Sequence, residues 1–211
     1  MTTRRATVLC LVALLPSAGM TACAVTDTTR YYTLGQVAAS AQTAMTPSSA
    51  RMDPAGMDAI AIGVGPVSLP GYLDRIQIVT RTSGDQVDLS PFYRWAEPLD
   101  EGIARVLAEE IGSRVPTNRI VTFPWRGSIA RALQYQVVVA VLRFDARRGA
   151  DVVLDARWRI LGKDGAELAF RRSTLSEAVA EPGHGPIVAA MTRALLTLGQ
   201  EIAAEIRTMP R

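Results

Sequence analysis

The chain has 211 residues, 48% of them hydrophobic and 20% charged, with a formal net charge of +3. That balance excludes a disordered polar chain and fits one globular domain with a sizeable core. Two cysteines exclude a disulfide framework, and the small positive charge, carried almost wholly by arginine, gives no sign of a nucleic-acid partner.

The chain opens with Arg4 and Arg5, runs apolar from Ala6 to Leu15, breaks at Pro16 to Gly19 and continues Met20-Thr21-Ala22-Cys23. A basic start, a short apolar core and a small-residue cleavage site describe an export signal. The apolar core is about ten residues, half of the ~20 that a spanning helix needs. Ala22 is small, as cleavage before Cys23 requires, although Met20 departs from the usual Leu. Removing residues 1–22 removes Cys10, Arg4 and Arg5, which lowers the charge of +3 to about +1 and leaves Cys23 as the one cysteine. The expectation is that Cys23 carries lipid and anchors the chain to a membrane; the alternative is a secreted protein with a free thiol. One acyl chain binds a membrane marginally, and two or more hold it stably. Ala24 rather than Asp follows the cysteine, so the expected location is the periplasmic face of the outer membrane.

Tyr31-Tyr32-Thr33-Leu34 reads as a short strand. Val37 to Met57 is rich in Ala, Ser, Thr and Pro without a period and reads as a linker. Ala59 to Leu69 alternates Ile60, Ile62 and Val64 with small residues, a strand buried on one side, with Pro66 expected to end its central pairing or put it at an edge. Pro70-Gly71 turns the chain, Leu73 to Thr82 forms a second strand, and Val87 to Leu89 returns it as a short hairpin arm. Pro98 to Val115 predicts a helix with a stripe of Leu99, Ile103, Val106, Leu107 and Ile111. Strands follow at Arg119 to Phe123, Gln134 to Ala146, Val152 to Leu161 and Glu167 to Ser176. The Val152 strand alternates apolar and charged residues, as an open antiparallel sheet requires. A last helix runs from about Pro186 to Arg207 on Val188, Met191, Leu195, Leu198, Ile202 and Ile206. The expected fold is α+β: one domain, a mostly antiparallel sheet with two main helices packed on it. Its divisions are a signal over 1–22, a lipidated N-terminus with the first strand and linker over 23–57, and the remainder of the domain over 58–211.

Ile62-Gly63-Val64-Gly65-Pro66-Val67, Leu69 to Arg75 and Ile78-Val79-Thr80-Arg81 together resemble the signature of the ABC-type transport auxiliary lipoprotein family, which includes the paraquat-inducible lipoproteins. Arg94-Trp95-Ala96-Glu97-Pro98-Leu99 and Phe123-Pro124-Trp125 extend the resemblance over essentially the whole mature chain. The resemblance implies a non-enzymatic subunit of a system that moves lipids or other hydrophobic molecules across the periplasm. Its implied partners are an MCE-domain subunit and inner-membrane transporter components, and it implies a homo-oligomeric ring. A structural envelope-assembly lipoprotein without a transport role is the competing reading.

Two motifs carry double readings. Leu69 to Arg75 is either a turn fixed by an Asp74–Arg75 pair over a core-packed Tyr72 and Leu73, or a contact for a partner through Tyr72, Asp74 and Arg75. Arg94 and Trp95 either anchor the helix start, with Glu97 pairing to Arg94 or capping the helix, or join that contact. No catalytic residue, metal ligand set or cofactor site is read. His184, the one histidine, lies in a Gly/Pro-rich stretch and is expected to be a solvated loop residue. Ser68 and Ser90 lack a Gly-x-Ser-x-Gly setting, and Ile62 to Pro66 lacks both Gly-x-Gly-x-x-Gly and a Walker lysine. The stripe from Val188 to Ile206 is read as core rather than as a lipid groove.

Overall fold

A computed structural model describes residues 28–35, 60–117, 119–147 and 150–210. The signal, Cys23 and the whole of the linker lie outside these residues. Among the described residues, eight strands and three helices follow in chain order: β1 Arg30–Tyr32, β2 Ala61–Ser68, β3 Gln77–Ser83, β4 Gln86–Trp95, α1 Leu99–Arg114, β5 Arg119–Thr122, α2 Gly127–Ala132, β6 Tyr135–Arg147, β7 Val152–Gly162, β8 Glu167–Glu177 and α3 His184–Arg207.

All strands join one sheet, and the α+β single-domain expectation holds. The sheet is mixed. The two longest ladders, β6–β7 and β7–β8, are antiparallel, as is the β3–β4 hairpin. The β1–β4, β2–β5, β2–β6 and β3–β6 pairs are parallel. β6 is the hub. One side pairs with β2 over Tyr135 to Ala140 and with β3 at Ala146 and Arg147, while β7 runs along the other.

Both helix stripes face this sheet. Leu99, Ile103, Val106, Leu107 and Ile111 of α1, and Val188, Met191, Leu195, Leu198, Ile202 and Ile206 of α3, are all buried. α3 is long and apolar enough to cross a membrane. Its stripe nevertheless joins one cluster with α1 and with Val137, Val139, Leu154 and Ile160 of the sheet, as a core helix does. Burial of so many branched side chains, each ~1.5–3 kcal/mol on transfer from water, is the main source of stability. β7 obeys its alternation: Val152, Leu154, Ala156, Trp158 and Ile160 are buried, whereas Arg157 and Arg159 are exposed. Buried Trp158 donates from Nε1 to Ser173 Oγ at 2.9 Å, and the Ser173 hydroxyl bonds Glu201 of α3.

Several readings are corrected. β2 is buried on both faces from Ala61 to Gly65, because β5 and β6 flank it and Trp125 and Leu133 close over Gly63, where a Cβ would stand 2.7 Å from Leu133 Cδ1. Pro66 lies within β2 but past the end of its ladder with β5 at Val64, where β6 alone flanks the strand, as the proline led one to expect. The pairing with β6 shifts register between Val64 and Val67, and such a bulge tolerates the missing N–H. β3 starts at Gln77 because residues 71–76 form a turn, and β4 runs the full length from Gln86 to Trp95. The short helix α2 carries no buried residue and hence no periodic signal.

Candidate functional site: an anchored turn beside the first strand

The turn between β2 and β3 is held from beneath. Leu73 N–H bonds Pro70 O at 2.9 Å and Arg75 N–H bonds Leu73 O at 2.8 Å. Leu73 is buried in the core. The Tyr72 hydroxyl reaches 3.1 Å to Asp145 Oδ2. Asp145 is fully buried and also accepts from Arg81 Nη2 at 3.0 Å and from Arg143 Nε at 3.0 Å. It reaches the turn because β6 shifts register between Val141 and Arg143. Val141 and Phe144, opposite Ala156 and Leu154, then share the helix-facing side, which turns Asp145 to the other.

Charge pairing decides the electrostatics. Burial pushes the Asp145 carboxyl up, but the hydrogen bonds and charges of Arg81 and Arg143 outweigh it and hold the group below the usual carboxylate range. Burial, then the Asp145 charge, pushes the Tyr72 phenol up. Tyr72 is therefore a neutral donor clamping the turn to a buried carboxylate. Asp74, Arg75 and Ile76 stand exposed above it. The expected Asp74–Arg75 pair gives way to a bond from Arg75 Nη2 to Gly71 O at 3.2 Å.

The end of β4 closes the turn from the side. Trp95 is buried, and its N–H donates to Ile76 O at 2.7 Å. Arg94 is opposite Gln77 on one side and Tyr31 of β1 on the other. Ala96 N–H donates to Tyr32 O at 2.9 Å. Tyr72, Asp74, Arg75, Arg94 and Trp95 thus share one end of the sheet, beside the first strand. Glu97 pairs with Arg105 at 2.5 Å rather than with Arg94, and α1 has no side-chain cap. Arg105 also donates to Leu34 O at 3.0 Å, tying β1's exit to α1.

A cavity of about 280 Å³ lies at the start of α3, lined in part by Thr80, Arg147, Glu181, His184 and Ile187. His184 is the first residue of α3, not a solvated loop residue, and its ring stacks on Tyr93 at 3.8 Å and 8°. Among the described residues no three His, Cys, Asp or Glu side chains gather as a metal site.

The family model for the ABC-type transport auxiliary lipoprotein component matches residues 32–203, from β1 into α3. The chain belongs to this family. An uncharacterized protein of known crystal structure aligns with a TM-score of 0.64 and 22% identity over 85% of this chain and 99% of its own. A DUF330 protein from Xanthomonas campestris aligns with a TM-score of 0.60 and 14% identity over 74% of this chain and 91% of its own. At these identities the likeness is one of fold. A search of curated proteins finds no match. The family is one of transport auxiliary components rather than of enzymes.

For this auxiliary lipoprotein, sequence reasoning finds the turn but misses what holds it. Asp145, Arg81 and Arg143 read only as parts of strands. The available signal is a charged pair two residues apart, Arg143 and Asp145, at the end of the apolar run that starts at Val137, where a buried carboxylate demands partners.

Proposed function

We propose that the chain is a non-enzymatic subunit of an MCE-type envelope transport system, fixed by lipid on Cys23 to the periplasmic face of the outer membrane. Membership of the auxiliary lipoprotein family over residues 32–203 carries this reading. Cys23 supplies the anchor, and residues 36–59 separate the anchored strand from the body of the sheet. The folded domain docks the MCE-domain subunit and, through it, the inner-membrane components that move lipid or another hydrophobic cargo. Several copies arranged as a ring would let the chain receive the end of a periplasmic conduit.

The test is affinity purification of the acylated chain from detergent-solubilised envelopes. Recovery of an MCE-domain subunit supports the reading. Crosslinked partners that include no transporter subunit would transfer the assignment to envelope assembly. Labelled palmitate incorporation that survives Cys23→Ala, or fractionation wholly with inner-membrane markers, would overturn the anchor and its placement.

A further inference from the structure

We infer that the end of the sheet formed by β1, the end of β4 and the turn 71–76 lies against the anionic bilayer surface and is a lipid-contacting face rather than a protein-docking one. The inference rests on the Cys23 anchor for its geometry. Arg30 is seven residue steps beyond Cys23. At ~3.5 Å per extended residue the start of β1 stays within about 25 Å of the acylated position. No other described strand is tied so closely to the anchor.

The surface at this end suits a lipid interface. Tyr31 is 63% exposed, Ile76 55% and Phe92 38%. Tyr31 is opposite Arg94, and Phe92, two residues before Arg94, shares their side of the sheet. Trp95 N–H meets Ile76 O, which brings the turn into the same neighbourhood. Adjacent strands are ~4.8 Å apart, so β1, β4 and the start of β3 form a patch about 10 Å wide. Arg75 is exposed here and Arg94 is half-buried, against the carboxylate of Asp74, while Arg30, opposite Tyr93, lies on the other face. Arg94 donates to Pro91 O and Arg75 to Gly71 O, and among the described residues neither forms an ion pair. Aromatic rings seat at the headgroup level, and arginines beside them draw toward anionic lipid. The exposed apolar residues Leu168 and Phe170 of β8, Phe123 just after β5 and Ile129 of α2 lie on other elements and have no comparable tie to the anchor.

The experiment uses the mature chain with Cys23→Ser, which cannot be acylated, floated with vesicles of phosphatidylethanolamine and phosphatidylglycerol or of phosphatidylcholine alone. The expected result is salt-sensitive binding to the anionic vesicles only. Arg75→Gln and Arg94→Gln should each weaken it about fivefold. Tyr31→Ser should weaken it comparably, while Phe170→Ser leaves it unchanged. No binding to anionic vesicles, or an equal loss with Phe170→Ser, overturns the inference. Melting curves confirm that each variant is folded. In cells, a photo-crosslinker at Tyr31 should capture phospholipid; capture of a protein overturns the inference in favour of docking. If Cys23 takes no palmitate label, the anchor reading fails by itself, and flotation of the Cys23→Ser chain still decides the patch.

Discussion

Asp145 is the residue on which the turn depends. Removing one partner of a buried ion pair costs ~3–5 kcal/mol. Here Arg81 and Arg143 are 16% and 32% exposed and can turn to water. Asp145→Asn should therefore lower stability in urea unfolding at neutral pH by about 2–3 kcal/mol. The folded Asp145 carboxyl titrates below its ordinary value. Its contribution is thus complete above the ordinary carboxylate pKa and lost as pH falls through the lower folded one. Asp145→Asn should flatten that acid limb, so that wild type and variant converge in stability at strongly acid pH. Trp95, 6% exposed, gives a second test: Trp95→Ala should cost ~3–5 kcal/mol by cavity formation. A loss below about 1 kcal/mol would show that the ring is not a core anchor. That Trp95 would pack in the core was legible from its type. Its backbone bond to the turn was not, because it depends on a strand end and a loop meeting across eighteen intervening residues.

At the scale of elements, periodicity revealed both long helices and β7, since each has one face in the core and one in water. It misread β2 because small residues on its second face are covered rather than solvated. Gly63 and Gly65 leave room for Trp125, Leu133 and Phe123, and alternation with small residues looks the same whether the cover is water or an aromatic ring. Gly65 has φ +122°, and a Cβ there would stand 2.6 Å from Phe123 Cβ. Gly65→Ala should therefore destabilise by ~2–4 kcal/mol, combining backbone strain with overpacking. At Gly71, in the exposed turn, an added Cβ would meet nothing within 4 Å. Gly71→Ala should change stability by no more than about 0.5 kcal/mol. Parallel urea curves for the two variants distinguish strand packing from the turn.

At the scale of the whole molecule, hairpins could be read from turn residues, and the antiparallel ladders followed. The parallel pairs join Ile62 to Tyr135 and Thr80 to Ala146. No local turn chemistry records such distant pairings, so the mixed sheet was invisible in single-sequence patterns. The described residues form a continuous core from Leu34 to Ile206. Cys23→Ala should accordingly turn detergent-dependent attachment into peripheral attachment that high salt releases, with a change in Tm of no more than about 2 °C, roughly the shift that ~0.5–1 kcal/mol would give. A larger drop would mean that the anchor also supports the fold. The position of β1 has a mechanical consequence as well. With lipid on Cys23, as proposed, a pull from the bilayer would reach the described domain at β1 and load a ladder of three residues, Arg30 to Tyr32, beside β4. Immediately behind it stand buried Leu34, whose carbonyl accepts from Arg105, and Gly35, whose N–H donates to Thr192 of α3. The first strand is thus a short clasp in series with a firmer one: a tug peels a few residues into extra slack before strain reaches the core.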